Sequence, residues 1–131
     1  MDALQSITPI MGSAAVMLLM DIVWLWYRGQ AHEQLFQSIQ GSKIDVRWFA
    51  AGLIYIILPI ALWLWAVKDA KTYAGAAAKG ATVGILMYAF YDLTNYATFK
   101  NWTIEMTVID IAWGTTLCTV GALAGYYLKP K

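Results

Sequence analysis

The stretch Gly80–Phe99, GATVGILMYAFYDLTNYATF, decides what kind of protein this chain is. It has the length of a membrane-spanning helix, about 20 residues, yet it contains an aspartate, Asp92, and an asparagine, Asn95. A carboxylate within a span costs roughly 2.5 to 3.5 kcal/mol on insertion scales, so such a residue is a candidate functional group with a partner on another helix. Two further aspartates, Asp21 and Asp110, are the candidate partners.

The composition of the whole chain indicates a single membrane domain covering residues 1–131. Of its 131 residues, 60% are hydrophobic and 13% are charged, which is far from the average of soluble proteins. The net charge is +1 and the basic residues are scattered, so nucleic-acid binding is excluded. The single cysteine, Cys118, cannot form a disulfide within the chain, and we expect it to be a small buried core residue.

Four apolar segments predict an all-α integral membrane four-helix bundle. The predicted spans cover about residues 9–27, 48–67, 80–99 and 104–128. The first is expected to begin at Pro9, with Thr8 as its cap. It has no basic segment before it and no small-residue cleavage site after it, so we expect a retained span and not a signal peptide.

The connection between the first two spans has helical character of its own. Apolar residues recur there at helical spacing: Ala31, Leu35, Phe36 and Ile39. This pattern predicts an interfacial amphipathic helix over about residues 31–40, ended by Gly41. His32, the only histidine, is expected to be solvated or to cap this helix.

Proline and glycine predict how the spans pack. Pro59 lies in the middle of the second span, where it should kink the helix and free the carbonyl of Tyr55. Gly80 and Gly84 form the small-xxx-small pattern that lets membrane helices approach closely. Four spans place both termini on one side of the membrane, and the positive-inside rule favours a cytoplasmic location for them by five basic residues against four.

Three aspartates fall at a common depth, and this coincidence predicts a functional site. Asp21, Asp92 and Asp110 each lie seven or eight residues from an interfacial residue, which corresponds to roughly 10 to 12 Å from the same membrane face. Lipid cannot solvate carboxylates, so they should face one another, a water-filled pocket or a bound cation. No basic residue lies at this depth by sequence, so no internal salt bridge is expected.

Aromatic and amide side chains near these acids complete the predicted binding layer. Two of the acids share the pattern Asp-Ile-x-Trp, which places Trp24 and Trp113 on the same helix faces as Asp21 and Asp110. The indole N–H only donates hydrogen bonds, so an Asp–Trp pair between helices is a natural buried contact. The candidate ligand- or proton-binding residues are Asp21, Trp24, Tyr88, Tyr91, Asp92, Asn95, Asp110 and Trp113.

Several functions remain open for this layer. It could bind or relay a proton, a cation or a lipid head group. Alternatively, the protein could be a lipid-modifying membrane enzyme or its partner, or a structural subunit of a larger membrane complex. One histidine and one cysteine do not support a transition-metal site, and no nucleotide or hydrolase motif is present. The sequence therefore assigns no catalytic residue, metal or cofactor, and the expected partners are membrane lipid, further copies of the chain or a larger complex.

Three segments of the chain carry a resemblance to a known family. They are FYDLTNYATFKNW at residues 90–102, DIAWGT at residues 110–115 and MDIVWL at residues 20–25. These segments resemble the signature of a family of small predicted membrane proteins, domain-of-unknown-function family 2177, and the resemblance covers nearly the whole chain. It implies four membrane helices and brings no established activity.

Overall fold

Four helices make up the part of the chain that the computed structural model describes, residues 3–131, and no strand occurs within it. The helices are α1 (Ala3–Gln40), α2 (Trp48–Leu62), α3 (Tyr73–Thr98) and α4 (Ile104–Leu128), and a π-helical segment, Trp63–Val67, continues α2. Three of them are long and apolar enough to cross a membrane: α1, α2 with its π-helical continuation, and α4. The fold is therefore all-α, as the sequence predicts.

Helix α1 is longer than the sequence predicts at both ends. It has 38 residues, about 57 Å at 1.5 Å per residue, against about 30 Å for a bilayer core. The separate helix predicted over residues 31–40 is instead the last part of α1. The prediction of a break was wrong because Gly29 stands alone between good helix formers, and one glycine within a helix costs only about 1 kcal/mol. The helix ends at Gly41, which has a φ of 77°, as expected of a glycine that follows a helix.

The start of α1 also differs from the prediction. Pro9 lies inside the helix and Thr8 does not cap it, because helical structure already covers Ala3 onward. A proline at this position removes only one backbone hydrogen bond. Pro9 is buried against α4, where its backbone oxygen lies near Gly125. Packing on α4 thus favours a helix that continues through the proline.

The sequence predicts a kink at Pro59, and the helical hydrogen-bonding pattern changes shortly after this residue. Pro59 lies inside α2 and cannot donate a backbone hydrogen bond to the carbonyl of Tyr55. One turn later the backbone changes to π-helical hydrogen bonding, with the N–H of Lys68 bound to the oxygen of Trp63 at 2.9 Å. Together, α2 and its continuation cover the residues of the predicted second span.

Threonine side chains begin the last two helices. The hydroxyl oxygen of Thr72 accepts a hydrogen bond from the N–H of Gly75 at 3.0 Å, and that of Thr103 accepts one from Met106 at 3.0 Å. Both are N-caps that satisfy a free backbone donor of the first turn. Helix α3 consequently begins at Tyr73, before the predicted start at residue 80, whereas α4 has the predicted bounds.

The closest helix pair in the fold is α3 and α4. Gly80 and Gly84 of α3 face Cys118, Ala122 and Gly114 of α4 with no room for a further carbon atom. This contact agrees with the small-residue pattern in the sequence. Helix α1 packs on the other side of α4 and α2 lies beside it, so α4 is in contact with every other helix.

The bundle is apolar outside and includes polar groups inside. Trp26 and Phe90 are 85% and 78% exposed, and many other large apolar side chains are also exposed. Inside, Ser13 donates a hydrogen bond to the backbone oxygen of Gly121 at 2.7 Å. Cys118 is fully buried, as predicted. An apolar surface of this extent is typical of a protein that is surrounded by lipid.

Candidate functional site

One face of α1 carries polar side chains at successive turns. Asp21, Trp24, Arg28 and His32 are half-buried and spaced by three or four residues, so they lie on one side of the helix. His32 Nδ1 lies 3.0 Å from the backbone oxygen of Arg28, and His32 Nε2 lies 4.0 Å from Oδ1 of Asp110. Two predictions were therefore wrong: His32 is half-buried against α4 and caps no helix end, and a basic side chain does lie beside an acid of the layer. The cause is the continuous α1, which keeps its later turns packed on α4.

Asp21 is bound on both of its carboxylate oxygens. Trp113 donates from Nε1 to Oδ1 at 2.8 Å, and the hydroxyl of Tyr55 donates to Oδ2 at 2.7 Å. The ring of Trp113 also stacks on that of Trp24, with centroids 4.4 Å apart and an angle of 4° between the planes. The Asp–Trp contact between helices that the sequence suggests is found here. Asp21 thereby ties α1 to α2 and α4.

Asp92 has the opposite environment. Its side chain is fully buried, and neither carboxylate oxygen accepts a hydrogen bond from any group in the described chain. The side chain of Asp110 lies beside it. Two carboxyl groups can form a hydrogen bond with each other only when one of them holds a proton and donates it. A buried charged group without a partner is costly, so Asp92 is expected to be stabilised by a proton or by a cation.

The tyrosines of α3 lie around the two acidic groups. Tyr88 packs against Gly114 and lies near Asp21 and Asp110. Tyr91 meets the ring of Trp102 edge-on, with centroids 6.0 Å apart. These rings form the apolar walls between the acidic groups and the outside of the bundle.

Asn95 lies one turn beyond Asp92 on α3. It is half-buried, and its side chain is near that of Tyr91. At this position it is on the same face of α3 as Asp92.

The predicted layer therefore divides into two groups. One is Asp21 with Trp113 and Trp24, and the other is Asp92 with Asp110, to which the structure adds His32. Within residues 3–131, no cluster of three or more His, Cys, Asp or Glu side chains is arranged to hold a metal ion. The second group can hold a proton between carboxyl groups and has a histidine at its edge.

A crevice on the side of the bundle leads to the second group. It has a volume of about 370 Å³ and lies between α2, α3 and α4. Its lining residues are Ile54, Ile57, Leu58, Met87, Tyr88, Tyr91 and Asp110. The crevice exists because α2 and α3 scarcely touch each other. An apolar cleft with one acidic group is the usual composition of a small-molecule site.

Two buried donors near these groups also have no partner in the described chain. They are Nε1 of Trp24 and Nε of Arg28. Buried polar groups in proteins are nearly always hydrogen-bonded, either to protein groups or to ordered water.

His32 and Tyr55 are the site residues that sequence reasoning missed. His32 follows Asp21 by eleven residues, which is three helical turns, so an unbroken α1 would have placed both on one face. Tyr55 belongs to a different span, and nothing in its spacing indicates a contact with Asp21. Only the packing of α2 on α1 brings them together.

Comparisons with known proteins give one match. A family model described as "Predicted membrane protein (DUF2177)" matches residues 6–127. No curated protein and no solved structure matches the chain.

Proposed function

Because the chain belongs to the DUF2177 family of predicted membrane proteins, we propose that it is a four-pass membrane protein whose Asp92–Asp110 pair binds a proton. His32 passes this proton to and from one face of the bundle. The observation that carries the proposal is the fully buried, unpartnered carboxyl of Asp92 beside Asp110.

Helix α3 supplies the fourth span in this proposal. It has 26 residues, about 39 Å of helix, and it is packed on α4 through Gly80 and Gly84. Its outward residues Leu86 and Phe90 are 66% and 78% exposed and apolar. The polar residues lower its mean hydropathy, but Asp92 faces the interior, where a polar group is tolerated in a membrane protein.

Labelling with a membrane-impermeant maleimide tests the fourth span. In a Cys118→Ala background, single cysteines are introduced as Lys71→Cys before α3 and Lys100→Cys after it. We expect the two cysteines to react from opposite sides of sealed vesicles. Reaction of both from the same side would show that α3 does not cross the membrane.

The pair Asp92–Asp110 is suited to hold one proton. Two adjacent carboxylates repel each other, and removing them from water disfavours two charges at once. A single shared proton removes one charge and forms a hydrogen bond that Asp92 otherwise lacks. Asp21 differs because Tyr55 and Trp113 already satisfy its two oxygens. The proton-binding unit is therefore the pair, with Asp21 as a positioning residue.

His32 provides the route between the pair and water. Its side chain is 16% exposed, and Nε2 lies 4.0 Å from Asp110. Imidazole gains and loses protons near neutral pH more readily than any other side chain. The apolar core around Leu117 and Cys118 lies deeper in the bundle, so the proposed route to water leads to the face at His32.

A pH-jump measurement tests the role of His32. Time-resolved infrared spectroscopy follows the protonated carboxyl band of the protein in lipid vesicles after a rapid change of pH. His32→Gln is expected to slow the response by about 100-fold, the lower end of what a positioned acid–base group contributes. Glu33→Gln, at an exposed neighbouring position, should respond like the wild type. Equal rates for His32→Gln and the wild type would overturn the proposed route.

The other roles that the sequence leaves open differ in their expected result. A purely structural subunit would show no proton exchange at the pair, and Asp92→Asn would leave its assembly almost intact or only weaken it. A lipid-modifying enzyme would alter the acyl or head-group profile of the membrane, and Asp92→Asn would abolish that alteration.

A further inference from the structure

The side crevice between α2, α3 and α4 has the shape and chemistry of a binding site. We propose that it takes a single-chain amphiphile with a primary ammonium group, which enters sideways from the bilayer. The chain lies along Ile54, Ile57 and Met87, and the ammonium group binds Asp110. This inference rests on the proposed function, because it assigns a ligand to the same carboxyl pair.

The walls of the crevice determine the apolar part of the ligand. Ile54, Ile57 and Met87 are 55%, 59% and 42% exposed, and all three line the opening. Their apolar side chains are not covered by other parts of the described chain and face the surroundings of the bundle. A volume of about 370 Å³ suits a hydrocarbon chain, whereas a helix about 10 to 12 Å across is too wide.

The charge at the inner end of the crevice determines which head group the ligand has. Asp110 lines the crevice, and the unpartnered Asp92 lies directly behind it. On the α1 side, His32 lies 4.0 Å from Asp110, and Arg28 precedes it by one turn on the same face of the helix. Tyr88 and Tyr91, which also line the crevice, add hydroxyl groups and no charge. An anionic head group would meet two carboxyl groups, so a cation with hydrogen-bond donors is favoured; an ammonium group has three donors and no acceptor.

Binding of the ammonium group should release the proton of the pair. The ammonium replaces the shared proton as the cation that stabilises the two carboxylates, and the proton leaves through His32 to water. No covalent bond changes, and one positive charge enters for each one that leaves. Binding of the amphiphile then weakens binding of the proton, and binding of the proton weakens binding of the amphiphile by the same factor.

Photo-crosslinking tests the crevice directly. The probe is a dodecylamine analogue with a diazirine in its chain, added to the protein in phosphatidylcholine vesicles, and the labelled residues are identified by mass spectrometry. We expect labelling at Ile54, Ile57 and Met87, with dodecylamine competing at least about tenfold better than dodecanol or dodecanoate. Asp110→Asn should remove this preference for the amine. Equal competition by the three compounds would overturn the proposed ligand class.

A pair of adjacent substitutions controls for non-specific labelling. Ile57→Trp fills the crevice, whereas Ile56→Trp adds the same side chain at a 56% exposed position that does not line it. Only Ile57→Trp should abolish labelling, and equal labelling of the two variants would contradict the site.

Proton release separates this inference from the proposed function. A pH-sensitive dye should record proton release when dodecylamine is added to the wild type and none with Ile57→Trp. Specific labelling without proton release would support the crevice and contradict the shared proton. A shared proton without amine-specific labelling would support the proposed function and contradict the amine site in the crevice.

Discussion

Replacing Gly84 by alanine is expected to separate α3 from α4 and to lower the stability of the fold strongly. The added Cβ would lie 2.5 Å from the backbone oxygen of Gly114, 2.8 Å from Cα of Thr115 and 3.0 Å from Cβ of Cys118. Two of these are backbone atoms of a helix and cannot rotate away. Overpacking costs typically 1 to 3 kcal/mol, and we expect Gly84→Ala to cost about 3 kcal/mol.

Thermal unfolding in detergent measures this effect, and Gly52→Ala is the matched control. Gly52 lies in α2 with nothing within 4 Å of an added Cβ, so alanine there should be neutral or stabilise the helix by up to about 1 kcal/mol. Gly84→Ala should therefore unfold well below both the wild type and Gly52→Ala. Equal unfolding temperatures for the two variants would show that α3 and α4 do not make the close contact described above.

Most helix boundaries could be predicted from the sequence because local chemistry determines them. The cap residues Thr72 and Thr103 begin α3 and α4, and Gly41 ends α1. There are two exceptions. Helix α3 begins at Tyr73 and not at the predicted residue 80. In α1, the aromatic and basic residues up to Arg28 suggested a membrane edge and hence the end of a helix. A helix can continue beyond the edge of the membrane. A single glycine, Gly29, costs too little free energy to end it.

The sequence predicts a common depth for the three aspartates, but it does not predict which groups they contact. Depth follows from helical rise, whereas pairing depends on how each helix is rotated about its axis. That rotation is set by contacts far from the acids, such as Gly80 on Ala122 and Ser13 on Gly121. These contacts place Asp21 against Trp113 and Asp92 beside Asp110. The spacing of the residues in the sequence does not predict these two groups.

Replacing Asp92 by asparagine is expected to remove the shared proton completely while the fold remains intact. Asparagine has nearly the same volume, and its N–H₂ group can donate to Asp110 without a proton between two acids. The buried carboxyl of Asp92 has no donor to lose, so the variant should be at least as stable as the wild type. Asp21→Asn should have the opposite effect on stability, because Tyr55 and Trp113 both donate to Asp21 and one of them would face an amide donor.

Infrared spectroscopy of the carboxyl band tests most directly whether Asp92 and Asp110 share a proton. The protein, labelled with ¹³C in the aspartate carboxyl groups, is reconstituted in lipid and measured at neutral pH. The wild type and Asp21→Asn should show the band of a protonated aspartate, and Asp92→Asn should lack it. Absence of this band from the folded wild type, or its persistence in Asp92→Asn, would contradict a proton shared between Asp92 and Asp110.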